Sequence, residues 1–180
     1  YDGANVLADT DATGGVLRVY GHGIGIDHLL TMTTYTSGTA QTFYCLTDRL
    51  GSVHALADED GNVLESYRFD AWGKVTGVYD GNGNHLSESA YGNRFLWQGR
   101  EYSYRTGLYY FRARWYDPVM GRWLSNDPIG IAGGLNQYVF CGNNPVMGRD
   151  PEGFSGFLML GSPWLIFFEK PPIIPRPILD

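Results

Sequence analysis

A short unit recurs along this chain and limits what it can fold into. Leu56-Ala57-Asp58-Glu59-Asp60, followed by Asn62-Val63-Leu64, repeats the pattern of Leu7-Ala8-Asp9-Thr10-Asp11 followed by Gly15-Val16-Leu17. A third, weaker copy runs from Asp80 to Leu86, with Asp58, Gly61, Asn62 and Leu64 mapping onto Asp80, Gly83, Asn84 and Leu86. Each copy reads as strand, Asp/Asn/Gly turn, strand. Asp60-Gly61 and Asn82-Gly83 predict two-residue hairpin turns of the primed type, with positive φ at both central residues. Between the turns, alternation puts Val63, Glu65 and Tyr67 on one face and Leu64, Ser66 and Arg68 on the other. A hairpin cannot bury a face by itself, so neighbours must stack into one sheet. That sheet is either an ordinary antiparallel meander or the end of a long repeat array.

Composition agrees with a mainly β chain. Gly numbers 25 and Tyr 13, and aromatics make up 15% of 180 residues, which favours strands and tight turns over helices. That length suffices for one domain with a core. Short helical turns are expected near Pro128–Leu135, where Pro128 suits a first helical position, and around Asn143–Val146. A net charge of −6 argues against a nucleic-acid partner, because phosphate contacts need clustered Lys and Arg. Cys45 and Cys141 form no disulfide or zinc pattern, and His22, His28, His54 and His85 lack metal-ligand spacing. Gly21-His22-Gly23-Ile24-Gly25 lacks the third glycine of a dinucleotide turn. No cofactor and no metal are expected.

The chain begins Tyr-Asp-Gly, without an initiator Met or a signal segment, and reads as a piece of something longer. Beyond Phe154 it turns apolar, and it ends in a proline-rich stretch from Pro171 to Pro177 that should be extended. The apolar run is broken by Gly161-Ser162-Pro163 and is too short to span a bilayer, so a membrane partner is not expected.

Chemistry, if present, concentrates between residues 108 and 153, where Asp117, Asp127 and Asp150 each precede a proline among aromatics and arginines. Asp-Pro is a common turn starter, and turn chemistry accounts for such pairs by itself. If the fold brings Asp127 and Asp150 together, both cannot easily ionise. One then holds a proton and serves as acid while the other serves as base. Such a pair can activate water against an amide, and a nearby Arg can orient a carboxylate or stabilise the developing oxyanion. By strand parity Tyr110, Arg112, Arg114 and Tyr116 share one face, with Phe111, Ala113 and Trp115 on the other. On this reading Arg112 and Arg122 are structural, and Asp117-Pro118 is a turn between strands.

The run Thr106-Gly107-Leu108-Tyr109-Tyr110-Phe111-Arg112-Ala113-Arg114-Trp115-Tyr116-Asp117-Pro118, with Gly121-Arg122-Trp123-Leu124-Ser125, Asp127-Pro128-Ile129-Gly130, Asn143-Asn144-Pro145 and Asp150-Pro151-Glu152-Gly153, resembles the Rhs repeat-associated core domain of Rhs/YD-repeat proteins. That family includes polymorphic toxins and toxin-complex C components. Tyr44 to Gly73 is similar to its YD-repeat lead-in. The resemblance covers residues 1 to 154 and implies antiparallel hairpin repeats forming part of a spiralling β-sheet shell that ends in a compact plug. It divides the chain into a repeat region at 1–105, a core region at 106–154 and a variable tail at 155–180. It further implies that the shell encloses its own C-terminal polypeptide and cuts it off as an intramolecular aspartic protease. By position, Asp127, Asp150 and Arg114 match the catalytic residues, and Phe154-Ser155 the cleaved bond, with Phe154 where the family usually has Leu. Implied partners are the enclosed polypeptide, an N-terminal repeat region, and secretion or toxin-complex components. The implied location is secreted or at the cell surface. One departure is the tail: residues 155–180 hold no His or Cys and are too few for a catalytic core of their own.

Two other functions fit the residues. A Tyr/Trp-rich sheet can be a structural or surface-binding module that cuts nothing. The apolar tail, residues 157 to 168 above all, can be a membrane-active peptide carried by the shell. The separation of Asp127 and Asp150 discriminates the first of these from a protease.

Overall fold

The structure, a computed structural model, describes residues 1–36, 38–154 and 157–158, the last two by their backbone. Eight strands follow one another in sequence order across one antiparallel sheet. They are β1 (Ala8–Thr10), β2 (Val16–His22), β3 (Leu29–Thr36), β4 (Thr39–Thr47), β5 (Val53–Ala57), β6 (Val63–Phe69), β7 (Val75–Asp80) and β8 (His85–Leu86). A second sheet, in the order β12-β11-β10-β9, is built from β9 (Glu101–Ser103), β10 (Leu108–Phe111), β11 (Arg114–Asp117) and β12 (Arg122–Trp123). β13 (Gly148–Arg149) pairs with β14 (Phe157–Leu158). The fold is mainly β, as the repeats require.

Helical structure among the described residues is limited to 3-10 turns at Trp97–Gly99, Gly130–Gly133 and Cys141–Asn143. The second lies inside the expected 128–135 window. The third ends where the expected turn at Asn143–Val146 was to begin. Asn144 precedes Pro145 and is pushed out of helical space, to φ −124 and ψ 68, so the turn has to finish before it.

The hairpins do not close as primed two-residue turns. Gly61 has φ +84 and Gly83 φ +85, but Asp60 and Asn82 are not in the left-handed region. The aspartate at the start of each loop closes it instead. Asp58 Oδ1 accepts the N–H groups of Asp60 (3.0 Å) and Asn62 (2.8 Å), and Asp80 Oδ1 does the same for Asn82 and Asn84. With its own side chain supplying acceptors, the backbone settles into a five-residue loop rather than the tighter turn. Asp11, Asp48 and Asp70 build the same loop, each with a positive-φ glycine three residues on, at Gly14, Gly51 and Gly73.

Glu65 and Tyr67 point inward as alternation requires, while Val63, at the strand start, stays 44% exposed. The buried Glu65 is satisfied on both oxygens: Tyr67 Oη donates to one and the Ala90 N–H to the other. Parity fails at the β10–β11 hairpin. Arg112 adopts φ +62, so the chain reverses there and Phe111 pairs with Arg114. Tyr109, Phe111, Arg114 and Tyr116 therefore face inward together, and Tyr110 and Trp115 pack against each other on the outer side. The expected sharing of one face by Arg112 and Arg114 is overturned by this turn. Asp117 does form the expected turn, its Oδ1 accepting from Val119 and Met120.

The two sheets share one core. Met32, Phe43, Leu56, Tyr67 and Val78 from the first meet Tyr109, Phe111, Tyr116 and Trp123 from the second around Leu96, Trp97 and Phe140. Trp97 stacks on Tyr116 at 5.5 Å and lies 5.3 Å from Phe140. Gly73 is required beside it, since a Cβ there would sit 2.4 Å from the indole. Tyr109 and Tyr116 donate their hydroxyls to the carbonyls of Gly73 and Trp72, so the β6–β7 loop is bonded to the second sheet.

Candidate active site

Arg114 opens β11, and the reversal at Arg112 turns its side chain into the molecule rather than to solvent. The guanidinium lies over the Trp123 ring, 4.1 Å from the centroid, where the indole face favours a cation. Its donors are then spent on four acceptors. Nη1 donates to the Gln137 carbonyl (3.1 Å), and Nε to the Gly153 carbonyl. Nη2 lies 3.0 Å from Asp127 Oδ2 and 3.3 Å from Asp150 Oδ2. Burial pulls the guanidinium down from its ordinary pKa and the two carboxylates oppose that, and an arginine stays charged in either case.

Asp127 and Asp150 come from opposite ends of a long excursion and are placed by local chemistry. Asp127 Oδ1 accepts the Ile129 N–H at 3.0 Å, which leaves Oδ2 turned to Arg114. The following 3-10 turn folds back so tightly that a Cβ at Gly133 would be 2.8 Å from Asp127 Oδ2. Asp150 follows β13 directly. Its Oδ1 accepts the N–H groups of Gly153 (2.9 Å) and Phe154 (3.1 Å). Gly153 has φ +77, and a Cβ there would meet the Phe111 carbonyl at 2.3 Å, so only glycine fits. The Cys141 thiol lies beside this group, its pKa raised by burial first and by the Asp150 charge second.

The three side chains expected at a site thus meet at one nitrogen, with side-chain exposures of 3, 7 and 3% for Arg114, Asp127 and Asp150. Such enclosure strengthens every charge interaction inside it. The backbone at Phe154 is held one bond from the group. Ser155 and the rest of the tail lie outside the described residues, apart from the backbone of β14. Residue types alone do not point to Trp123, the Gln137 carbonyl or Gly133. Only the glycines left a trace, in Gly133-Gly134 and in the closing Asp-Pro-Glu-Gly.

The family model of the Teneurin YD-shell matches residues 27–146, which include Arg114 and Asp127 but stop short of Asp150. The chain belongs to the YD-shell family. Among YD-shell relatives, the tRNA3(Ser)-specific nuclease WapA of Bacillus spizizenii is 36% identical over 168 residues, covering 90% of this chain and 7% of that protein. The toxin protein Tse5 of Pseudomonas aeruginosa is 35% identical over 116 residues, covering 64% of this chain and 8% of that protein. The crystal structure of TcdB2-TccC3-TEV superposes with a TM-score of 0.64 at 27% identity, over 81% of this chain and 7% of that one. The relatives bear out the Rhs/YD resemblance and the antiparallel shell fold. The chain spans less than a tenth of the length of each of these three proteins.

Proposed function

We propose that this chain is the closing end of a YD shell that carries a C-terminal polypeptide and releases it by intramolecular aspartyl proteolysis after Phe154. One observation carries the reading: a single buried guanidinium touches Asp127, Asp150 and the carbonyl of Gly153, the residue before Phe154. Arg114 offsets one of the two negative charges, so a proton shared by the carboxylates leaves the buried group close to neutral. The ionised carboxylate takes a proton from water as its oxygen adds to the Phe154 carbonyl carbon. The protonated carboxyl then supplies the proton that the departing Ser155 nitrogen needs. The peptide bond breaks to an acid and an amine, and the pair ends with the proton it began with. Enclosure and the hydrogen bonds at Gly153 and Phe154 supply the positioning such a step requires.

The carrier role is supported by the relative named as a toxin protein, Tse5, and by the structural likeness to TcdB2-TccC3-TEV. Secretion or exposure at the cell surface, and association with toxin-complex components, belong to the same reading. The contact of both carboxylates with one nitrogen meets the condition of closeness that a protease sets on Asp127 and Asp150. The membrane-active tail falls on residues outside those described, apart from the backbone of 157–158. In the full-length protein, Asp127→Asn and Asp150→Asn should each leave the chain uncut while the wild type is cut, as read on denaturing gels. Cutting that persists in a folded Asp127→Asn protein contradicts the reading.

A further inference from the structure

The residues of the β10–β11 reversal hold the chain just ahead of Phe154 in register. Arg112 Nη1 donates to the Pro151 carbonyl, the Ala113 N–H donates to the Glu152 carbonyl at 3.2 Å, and Arg114 Nε donates to the Gly153 carbonyl. Three consecutive residues thus grip three consecutive carbonyls, while Asp150 Oδ1 grips the next amides. Arg112 is the member of this row that is aimed by the repeat sheet. Its guanidinium forks onto Asp27, with Nη1 at 3.0 Å from Oδ2 and Nη2 at 2.5 Å from Oδ1, and Nη2 also reaches the Ala4 carbonyl at 2.8 Å. Asp27 sits in the β2–β3 connection of the repeat sheet. It is buried, its N–H bonds to Asn5 Oδ1, and Arg100 holds the same carboxylate at 2.5 Å. Arg112 also keeps a left-handed φ of +62, a conformation that turns normally give to Gly, Asn or Asp.

We propose that Arg112 is a positioning residue for the cut after Phe154, and that Asp27 orients it, so that the bond is held only when the repeat sheet is docked on the second sheet. The inference rests on the cleavage reading above. Its physical basis is that a chain fixed at each carbonyl arrives at the carboxylates already oriented, whereas a displacement of about 1 Å can cost a hundredfold in rate. A planar fork is needed because one group must serve Asp27 and Pro151 at once.

The test uses the full-length protein. Arg112→Gly keeps the left-handed turn without steric cost and removes the fork. Asp9→Asn is the control: it cuts a different tie of the repeat sheet, to Arg94, and touches nothing between 150 and 154. Cleavage should slow by about tenfold or more in Arg112→Gly and stay within about twofold of wild type in Asp9→Asn, a contrast set by positioning rather than by stability. In an uncut Asp127→Asn background, adding Arg112→Gly should speed amide exchange in peptides spanning 150–154. Arg112→Gly protein that is folded and cut at the wild-type rate overturns the proposal, as does equal slowing by Asp9→Asn. If the wild type is itself uncut, the cleavage reading falls, and unchanged exchange over 150–154 then overturns the clamp separately.

Discussion

Arg114 puts two carboxylates and two backbone carbonyls on one planar group, and no other side chain offers that many fixed donors. Lysine in its place would keep the charge and lose the fork. Arg114→Lys should therefore lower the cleavage rate by about a hundredfold. Arg114→Met, which leaves both carboxylates buried without their cation, should also cost about 3–5 kcal/mol in denaturant unfolding. Gly153→Ala tests the approach to the bond: the added methyl meets the Phe111 carbonyl at 2.3 Å. It should slow cutting about tenfold with a smaller effect on the melting temperature, since the strain falls on a loop. The candidate carboxylates could be named from Asp127-Pro128 and Asp150-Pro151 with the family resemblance. Their meeting could not be read, because it depends on β12, a 3-10 turn and β13 converging over more than twenty residues. Arg112 reads as a structural strand residue because nothing in the types Arg-Ala signals a left-handed reversal.

At the scale of the element, the repeat is a loop chemistry more than a strand chemistry. Asp11, Asp58 and Asp80 have pKa values held below the ordinary 3.8, chiefly by side-chain hydrogen bonds from Thr13, Asn62 and Asn84 respectively. A carboxyl whose folded pKa lies below its unfolded one stabilises above the unfolded value and loses that contribution as pH falls through the folded value. The repeat sheet should therefore keep its melting temperature down to about pH 4 and lose it progressively below, and Asp58→Ala should flatten part of that loss. Melts followed by circular dichroism between pH 5 and 2 check both. Asp58→Ala should also lower the melting temperature at neutral pH by about 2–4 °C. Loops at 58 and 80 were legible from Asp-Gly and Asn-Gly. Those at 48 and 70 were not, because Arg49-Leu50 and Ala71-Trp72 are poor turn formers, and only the aspartate and the glycine three residues on are constant.

For the whole molecule, the aromatic cluster is what makes two sheets one body. Trp97 touches Tyr109, Phe111, Tyr116 and Phe140, and the loop at Gly73 packs against its indole. Trp97→Ala should cost about 3–5 kcal/mol and remove cutting together with stability, unlike Gly153→Ala. Fold class was readable from Gly, Tyr and the hairpin spacing, whereas the joint between the sheets depends on long-range contacts that no local pattern encodes. That joint also sets Asp27 against Arg112, so the repeat sheet and the carbonyls of Pro151 and Gly153 belong to one piece of geometry. The most direct measurement is the exact mass and terminal sequence of the purified full-length protein beside its Asp127→Asn variant. A wild-type shell fragment ending at Phe154, a released peptide beginning at Ser155 and an intact variant are the expected result. Intact wild-type protein, or the same cut in both, contradicts it.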